Sequence, residues 1–185
     1  MQTITTEQLE LLKYPAGKFV RGTKADTPER VAECIAVIEA FPPKLRAEVQ
    51  GLSDAHLDTP YRPDGWTVRQ VVHHIADSHG QAPGRFKLAL TEDTPTIKPY
   101  KEALWAELAD ARTMPIEPSL LIIAGLHARW AIVLRHMSPA DFQRGFLHPE
   151  QQNREIGLAE ALELYVWHGA HHLAHITGLK GRMGW

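Results

Sequence analysis

The chain has 185 residues, 44% of them apolar and 23% charged, which is the composition of soluble globular domains rather than of disordered chains and suits a single domain over residues 1–185. Twenty Lys plus Arg against 22 Asp plus Glu leave a formal net charge of −2, and no block of like charge appears, so nucleic acid and anionic membrane are excluded as expected partners. The lone cysteine, Cys34, admits no internal disulfide, Met1 to Leu12 lacks the form of a signal peptide, and the longest uncharged apolar run, Pro118 to Leu126, is far short of the roughly 20 residues that span a bilayer, so a cytoplasmic location is expected.

Residues 1 to about 25 show no sustained period and carry the turn signal Tyr14-Pro15-Ala16-Gly17, which predicts an irregular lead-in. Asp26, with Glu29 three residues on and Pro28 inside the first turn, predicts a helix from about 27 to 49. Val31, Ile35, Ile38, Leu45 and Val49 keep helical spacing on it, and Pro42-Pro43 predicts a bend or break. Ser53 caps a short turn through Leu57, and Thr59-Pro60-Tyr61-Arg62-Pro63-Asp64-Gly65 is loop chemistry.

Thr67 and Gln70 form a capping box that opens a second helix, with Val68, Val71, Val72 and Ile75 on one face. Gly80, Pro83 and Gly84 predict a kink or interruption before Arg85 to Leu90 resumes the pattern. Thr94 to Tyr100 reads as a loop, followed by a short helix over Glu102 to Ala111. Ser119 begins a third long helix to about His136, its face marked by Leu120, Ile123, Leu126, Trp130, Val133 and Met137. Ser138 to Asn153 is polar and turn-rich. Gly157 and Glu160 then open a fourth helix to about Leu179, stopped by Gly178 and Gly181. No repeat and no strand pattern is visible, so the fold class is all-α, a four-helix bundle, whose core is a regular place to build a metal site from facing helices.

Eleven histidines are present, four of them between His168 and His175. On the fourth helix His168 and His172 fall inside the apolar arc formed by Ala161, Tyr165, Leu158, Ile176 and Leu162, while His171 and His175 fall at its edge. Residues four apart have Cβ atoms about 5 to 6 Å apart, so two imidazoles there can reach one ion at about 2.0 to 2.1 Å. The competing reading is a structural pair satisfied by hydrogen bonds to each other or to water. A pair buried without a shared partner, however, leaves polar groups costing about 1 to 3 kcal/mol each.

Two ligands do not complete a catalytic site, which commonly takes three and leaves a position open. On the second helix His79 lies on the core face, His74 at its edge and His73 away from it. His127 lies at the edge of the stripe on the third helix. Spacing alone leaves the third ligand open between His74 and His79, with His127 behind. Cys34 reads as a small buried hydrophobe rather than a nucleophile. Trp66, Trp105, Trp130 and Trp167 read as core and loop-packing residues, with Trp66 placed to line a cavity mouth. No phosphate-cradling loop or G-x-S-x-G elbow occurs.

Several stretches, taken together, carry a resemblance. They are Thr59-Pro60-Tyr61-Arg62, Gly65-Trp66-Thr67-Val68-Arg69-Gln70-Val71-Val72-His73-His74, Arg85 to Glu92, Tyr165-Val166-Trp167-His168, His172, Ala174-His175-Ile176-Thr177 and Arg182-Met183-Gly184-Trp185. Over about residues 12 to 185 the chain resembles the DinB/YfiT family of four-helix-bundle metalloproteins, in its YfiT branch. That resemblance implies an up-down-down-up bundle, a homodimer and one divalent metal per subunit, zinc or nickel. It also implies a ligand set of His74, His168 and His172, which would break the tie in favour of His74. The stretch Gly80 to Gly84 departs from the family, whose second helix continues there.

The resemblance further implies metal-dependent hydrolysis of a small molecule. Three neutral imidazoles leave the full 2+ charge on the open position, enough to bring the pKa of a bound water toward about 7. One alternative is an S-transferase that takes a low-molecular-weight thiol of the bacillithiol type at the same metal. The other is a non-catalytic metal-binding bundle. No general acid or base is evident in the sequence. Asp77, Glu163 and His127 are candidates to orient the ligands, Asp77 and Glu163 reading rather as solvated surface groups.

Overall fold

Capping chemistry decides where the helices begin. In the computed structural model, which describes residues 5–185, Thr5 and Gln8 form a capping box that starts α1 (Thr6–Lys13). The expected irregular lead-in is therefore corrected over this stretch, while its residues 1–4 lie outside the described residues. Helix α1 buries none of its residues, so it leaves no apolar period to read. Thr27, rather than Asp26, caps α2 (Pro28–Val49) by accepting from the Arg30 amide. Ser53 caps the single turn α3 (Asp54–Leu57). The predicted Thr67–Gln70 capping box is present and opens α4 (Val68–Thr91).

The expected short helix after Tyr100 is two pieces, α5 (Glu102–Trp105) and α6 (Ala109–Thr113). They precede α7 (Glu117–His136). A hairpin follows, β1 (Gly145–His148) antiparallel to β2 (Arg154–Gly157), with Phe146 opposite Ile156 and both buried. Each strand is four residues long, too short for alternation to register, and this corrects the expectation of no strand. The chain ends in α8 (Leu158–Met183), which runs through Gly178 and Gly181, where a stop was expected, and is closed by Gly184 in the left-handed region.

Two expected breaks do not occur. Helix α2 runs through Pro42 and Pro43 and α4 runs through Gly80, Pro83 and Gly84. A proline removes one helical hydrogen bond and costs about 3 kcal/mol, and burial on both sides offsets that cost. Ile38, Phe41 and Leu45 are buried around the first site, Ala82, Phe86 and Ala89 around the second. Full burial of one such large apolar side chain contributes about 1.5 to 3 kcal/mol.

Helix α2 packs chiefly on α7 and α8, and α4 packs on the same two helices. The pairs α2/α4 and α7/α8 thus stand on the diagonals of a four-helix bundle. Length and apolar composition alone would let α7 cross a bilayer. Here it is tied to α2 by the ion pairs Arg46–Glu117 and Arg135–Glu39. The apolar core has two parts. One holds Ile38, Phe86, Trp130, Leu162 and Tyr165, the other Phe41, Val71, Ile75, Ile123 and Ile176. Along every long helix the changeover falls next to a histidine or, on α2, between Ile38 and Phe41, so a polar layer crosses the middle of the bundle.

Candidate metal centre

His74 on α4 and His168 and His172 on α8 each bring a ring nitrogen to within 4.8 Å of the other two. The Nε2 atoms of His74 and His168 are 3.3 Å apart. His74 and His172 are buried, and His168 is half-buried. Burial lowers the pKa of all three, that of His74 to about 4 and those of His168 and His172 well below the usual imidazole range, and neighbouring imidazoles lower it further. At neutral pH each ring therefore keeps a nitrogen lone pair. The trio holds no carboxylate, and Nδ1 of His172 is buried without a hydrogen-bond partner. Three neutral imidazoles facing one another fit a borderline first-row divalent ion.

His79, the other reading for the third position, stands behind the trio. Its Nδ1 lies 2.8 Å from Nε2 of His127 and its Nε2 lies 3.1 Å from Nδ1 of His168, so both its nitrogens are engaged. The helical wheel is right about the inward pair but wrong about three neighbours. His171 and His175, placed at the periphery, are buried, with His171 stacked on Trp167 and His175 on Tyr61. His175 also donates from Nε2 to the Lys13 carbonyl at the end of α1. His73, placed away from the core, is buried against Ser119 and donates from Nε2 to the Met114 carbonyl. A wheel counts the faces that helices show each other and is blind to what the loops cover.

Neither acidic candidate touches a ring of the trio. Glu163 is buried, contrary to its surface reading, and both its carboxylate oxygens are taken by Arg30 at 2.6 and 2.8 Å. Asp77 is half-buried, and burial with the nearby Asp110 charge pushes its pKa up to about 6. Cys34 is fully buried, as a small hydrophobe would be.

A cavity of about 340 Å³ opens over the trio, walled by Trp66, Ser78, Arg85, Tyr100 and Trp167. Trp66 stands 4.7 Å from the His74 ring, where it was expected to line the mouth. Arg85 donates to the Tyr165 hydroxyl at 3.2 Å and joins no ion pair among the described residues. Sequence reasoning missed Arg85 and Tyr100 as wall residues. The supposed break at Gly80 to Gly84 hid the face on which Arg85 lies, and Tyr100 arrives on a loop without a period.

Against known proteins, the chain matches the DinB superfamily over residues 37–176. It is 49% identical to YfiT of Bacillus subtilis, provisionally named a metal-dependent hydrolase, over 94% of this chain and 97% of that one. A similarly named protein of Geobacillus thermodenitrificans is 49% identical over 96% and 98%. The solved structure of Bacillus subtilis YfiT, described as having an unusual four-helix bundle topology, superposes with a TM-score of 0.90 over 95% of this chain and 99% of that one. A mycothiol-dependent maleylpyruvate isomerase shares the fold at 19% identity and a TM-score of 0.62, over 82% of this chain and 61% of that one. The chain belongs to the DinB superfamily.

Proposed function

We propose that this DinB-superfamily chain is a metal-dependent hydrolase of small molecules, holding one divalent ion, zinc or nickel, on His74, His168 and His172. The observation that carries the reading is the convergence of three neutral imidazole nitrogens at the floor of a cavity. A divalent ion there would supply Lewis acidity, which brings the ionisation of water toward neutral pH. The chain's own contribution is to keep the three rings uncharged by burial, so that none of the ion's charge is neutralised by its ligands.

Around that floor, Trp66, Tyr100 and Trp167 wall the cavity and limit the occupant to a small molecule, since about 340 Å³ is at the small end of ligand sites. The wall carries charge of both signs: the Arg85 guanidinium, in no ion pair among the described residues, lines the same cavity as Glu102 and Glu150, and so offers an occupant one cationic donor beside two carboxylates. Ser78 brings its hydroxyl to 3.4 Å from Nε2 of His168, close enough to hydrogen-bond an occupant at the floor.

Elemental analysis of the purified protein tests the metal, and a screen of esters and amides with and without added small thiols tests the reaction. About one ion per chain, lost in His168→Ala and His172→Ala, together with thiol-independent turnover, supports the reading. Turnover that strictly requires a thiol would replace it with S-transfer. A protein that unfolds when its metal is chelated and turns nothing over would make the ion structural.

A further inference from the structure

We infer that His79 and His127 are positioning residues, joined in a one-way chain of imidazole hydrogen bonds that fixes His168 with its proton on Nδ1 and its Nε2 lone pair facing His74. The inference rests on the reading of His168 as a metal ligand and adds what holds that ligand in its working form.

The direction of the chain is set at its far end. In an α-helix the amide of residue 42 would donate to the carbonyl of residue 38, but residue 42 is a proline and has no amide hydrogen. The Ile38 carbonyl that Pro42 leaves without its helical donor lies 2.6 Å from Nδ1 of His127. A carbonyl only accepts, so His127 must carry its proton on Nδ1. The ring is buried and neutral, which leaves a lone pair on Nε2. That lone pair, 2.8 Å from Nδ1 of His79, requires a proton on that Nδ1. The same step repeats: Nε2 of His79 is then an acceptor, and Nδ1 of His168, 3.1 Å away, must donate to it. The lone pair of His168 is left on Nε2, 3.3 Å from Nε2 of His74. The opposite polarity would need the Ile38 carbonyl to donate, which it has no proton to do.

Burial makes the chain costly to hold for any lesser reason. His79 and His127 are each 1% exposed amid apolar residues, and an unsatisfied polar group there costs about 1 to 3 kcal/mol. Phe41, next to Pro42 on α2, braces both rings, stacked on His127 with centroids 5.5 Å apart and tilted on His79 at 5.4 Å. One turn of α2 thus supplies both the acceptor that orients the chain and the ring that holds it in place. Partners behind a metal-ligating imidazole commonly change affinity by about 10- to 100-fold when removed.

The test uses the full-length protein labelled with 15N in histidine, chelated free of metal. Long-range 1H–15N correlation spectra assign the tautomer of each ring directly. The wild type is expected to show His168, His79 and His127 all protonated on Nδ1, and His168 protonated on Nε2 instead overturns the inference without recourse to any variant. His127→Phe keeps the stacking on Phe41 and removes both nitrogens. It is expected to mix the His168 tautomers and to weaken Zn²⁺ binding, measured by competition with a chromophoric chelator, about 10- to 100-fold at unchanged helix content. Unchanged affinity and an unchanged tautomer overturn the inference. His168→Ala separates the two readings: zinc bound as tightly without the His168 ring overturns the ligand reading itself, whereas zinc lost in His168→Ala but retained in His127→Phe overturns only the chain.

Discussion

Gly169 on α8 meets the Phe41 ring on α2 so closely that a Cβ at position 169 would lie 3.0 Å from Phe41 Cε2. The ring has little room to retreat, because it is buried in the core and also packs against the His79 and His127 rings. Gly169→Ala is therefore expected to lower stability by about 1 to 3 kcal/mol. At Gly84 on α4 an added Cβ meets nothing within 4 Å, and Gly84→Ala is expected to raise stability by about 0.5 to 1 kcal/mol through helix propensity alone. Urea midpoints at a common m-value measure both, and shifts of the same sign would contradict this account of the two glycines.

Removing the metal is expected to leave the fold in place. Two apolar groups of buried residues hold the four long helices together on either side of the histidine layer, so the bundle does not need the ion to bury its core. Chelation should leave far-UV circular dichroism unchanged and lower the melting midpoint by roughly 5 to 10 °C relative to protein with free metal at about 100 times the dissociation constant. Loss of helical signal on chelation would show that the ion is part of the fold.

Asp77 gives a pH signature that does not involve the imidazole trio. Its carboxyl is held up to about 6 by burial first and by Asp110 second, from an ordinary value of 3.8. Between those values the folded protein keeps a proton that the unfolded chain has lost, so stability falls as pH rises through the window. Asp77→Asn removes the term: it should match the wild type near pH 3.8 and exceed it above pH 6. The gain is on the order of 1 kcal/mol, less than the full linkage, because the side chain is half-buried and partly screened. Denaturation of the chelated protein at pH 4 and pH 8 measures it, and an equal difference at both would remove the titration from the explanation.

The four long helices were legible because each carries a three-residue cap signal or a stripe of buried apolar residues several turns long. The same stripes turned His168 and His172 inward. They failed where proline and glycine rules met tertiary packing, as at Pro42-Pro43 and at Gly80 to Gly84, since a local rule does not know that Ile38, Phe41, Ala82 and Phe86 will be buried around the defect. They failed again at His73, which Ser119 at the start of α7 and the Met114 carbonyl cover, and at His171 and His175, which pack on Trp167 and on Tyr61 and the end of α1. Helical spacing left His74 and His79 open, and it was the resemblance rather than the period that favoured His74. Both lie on the core side of α4, and only the approach of α8 sets one beside His168 Nε2 and the other behind His168 Nδ1.

Cys34 is fully buried beside the Arg30–Glu163 pair, and burial first and the Glu163 charge second push its thiol up to about 11. At pH 8 the folded thiolate fraction is then roughly one part in a thousand, while an unfolded cysteine of pKa about 8.5 is about a quarter ionised. Labelling by a disulfide reagent at pH 8 should accordingly follow unfolding, negligible in buffer and rapid in denaturant. Glu163→Gln removes the second cause and breaks a buried carboxylate's hold on Arg30. Because Arg30 is itself 43% exposed and can be rehydrated, the expected loss is about 1 to 2 kcal/mol rather than the larger cost of a charge stranded in the core. Labelling of Cys34 in Glu163→Gln should quicken by the same factor by which the unfolded population grows. Quickening beyond that factor would mean that the Arg30–Glu163 pair closes a local path to the thiol, and the variant's labelling rate against its stability decides between the two.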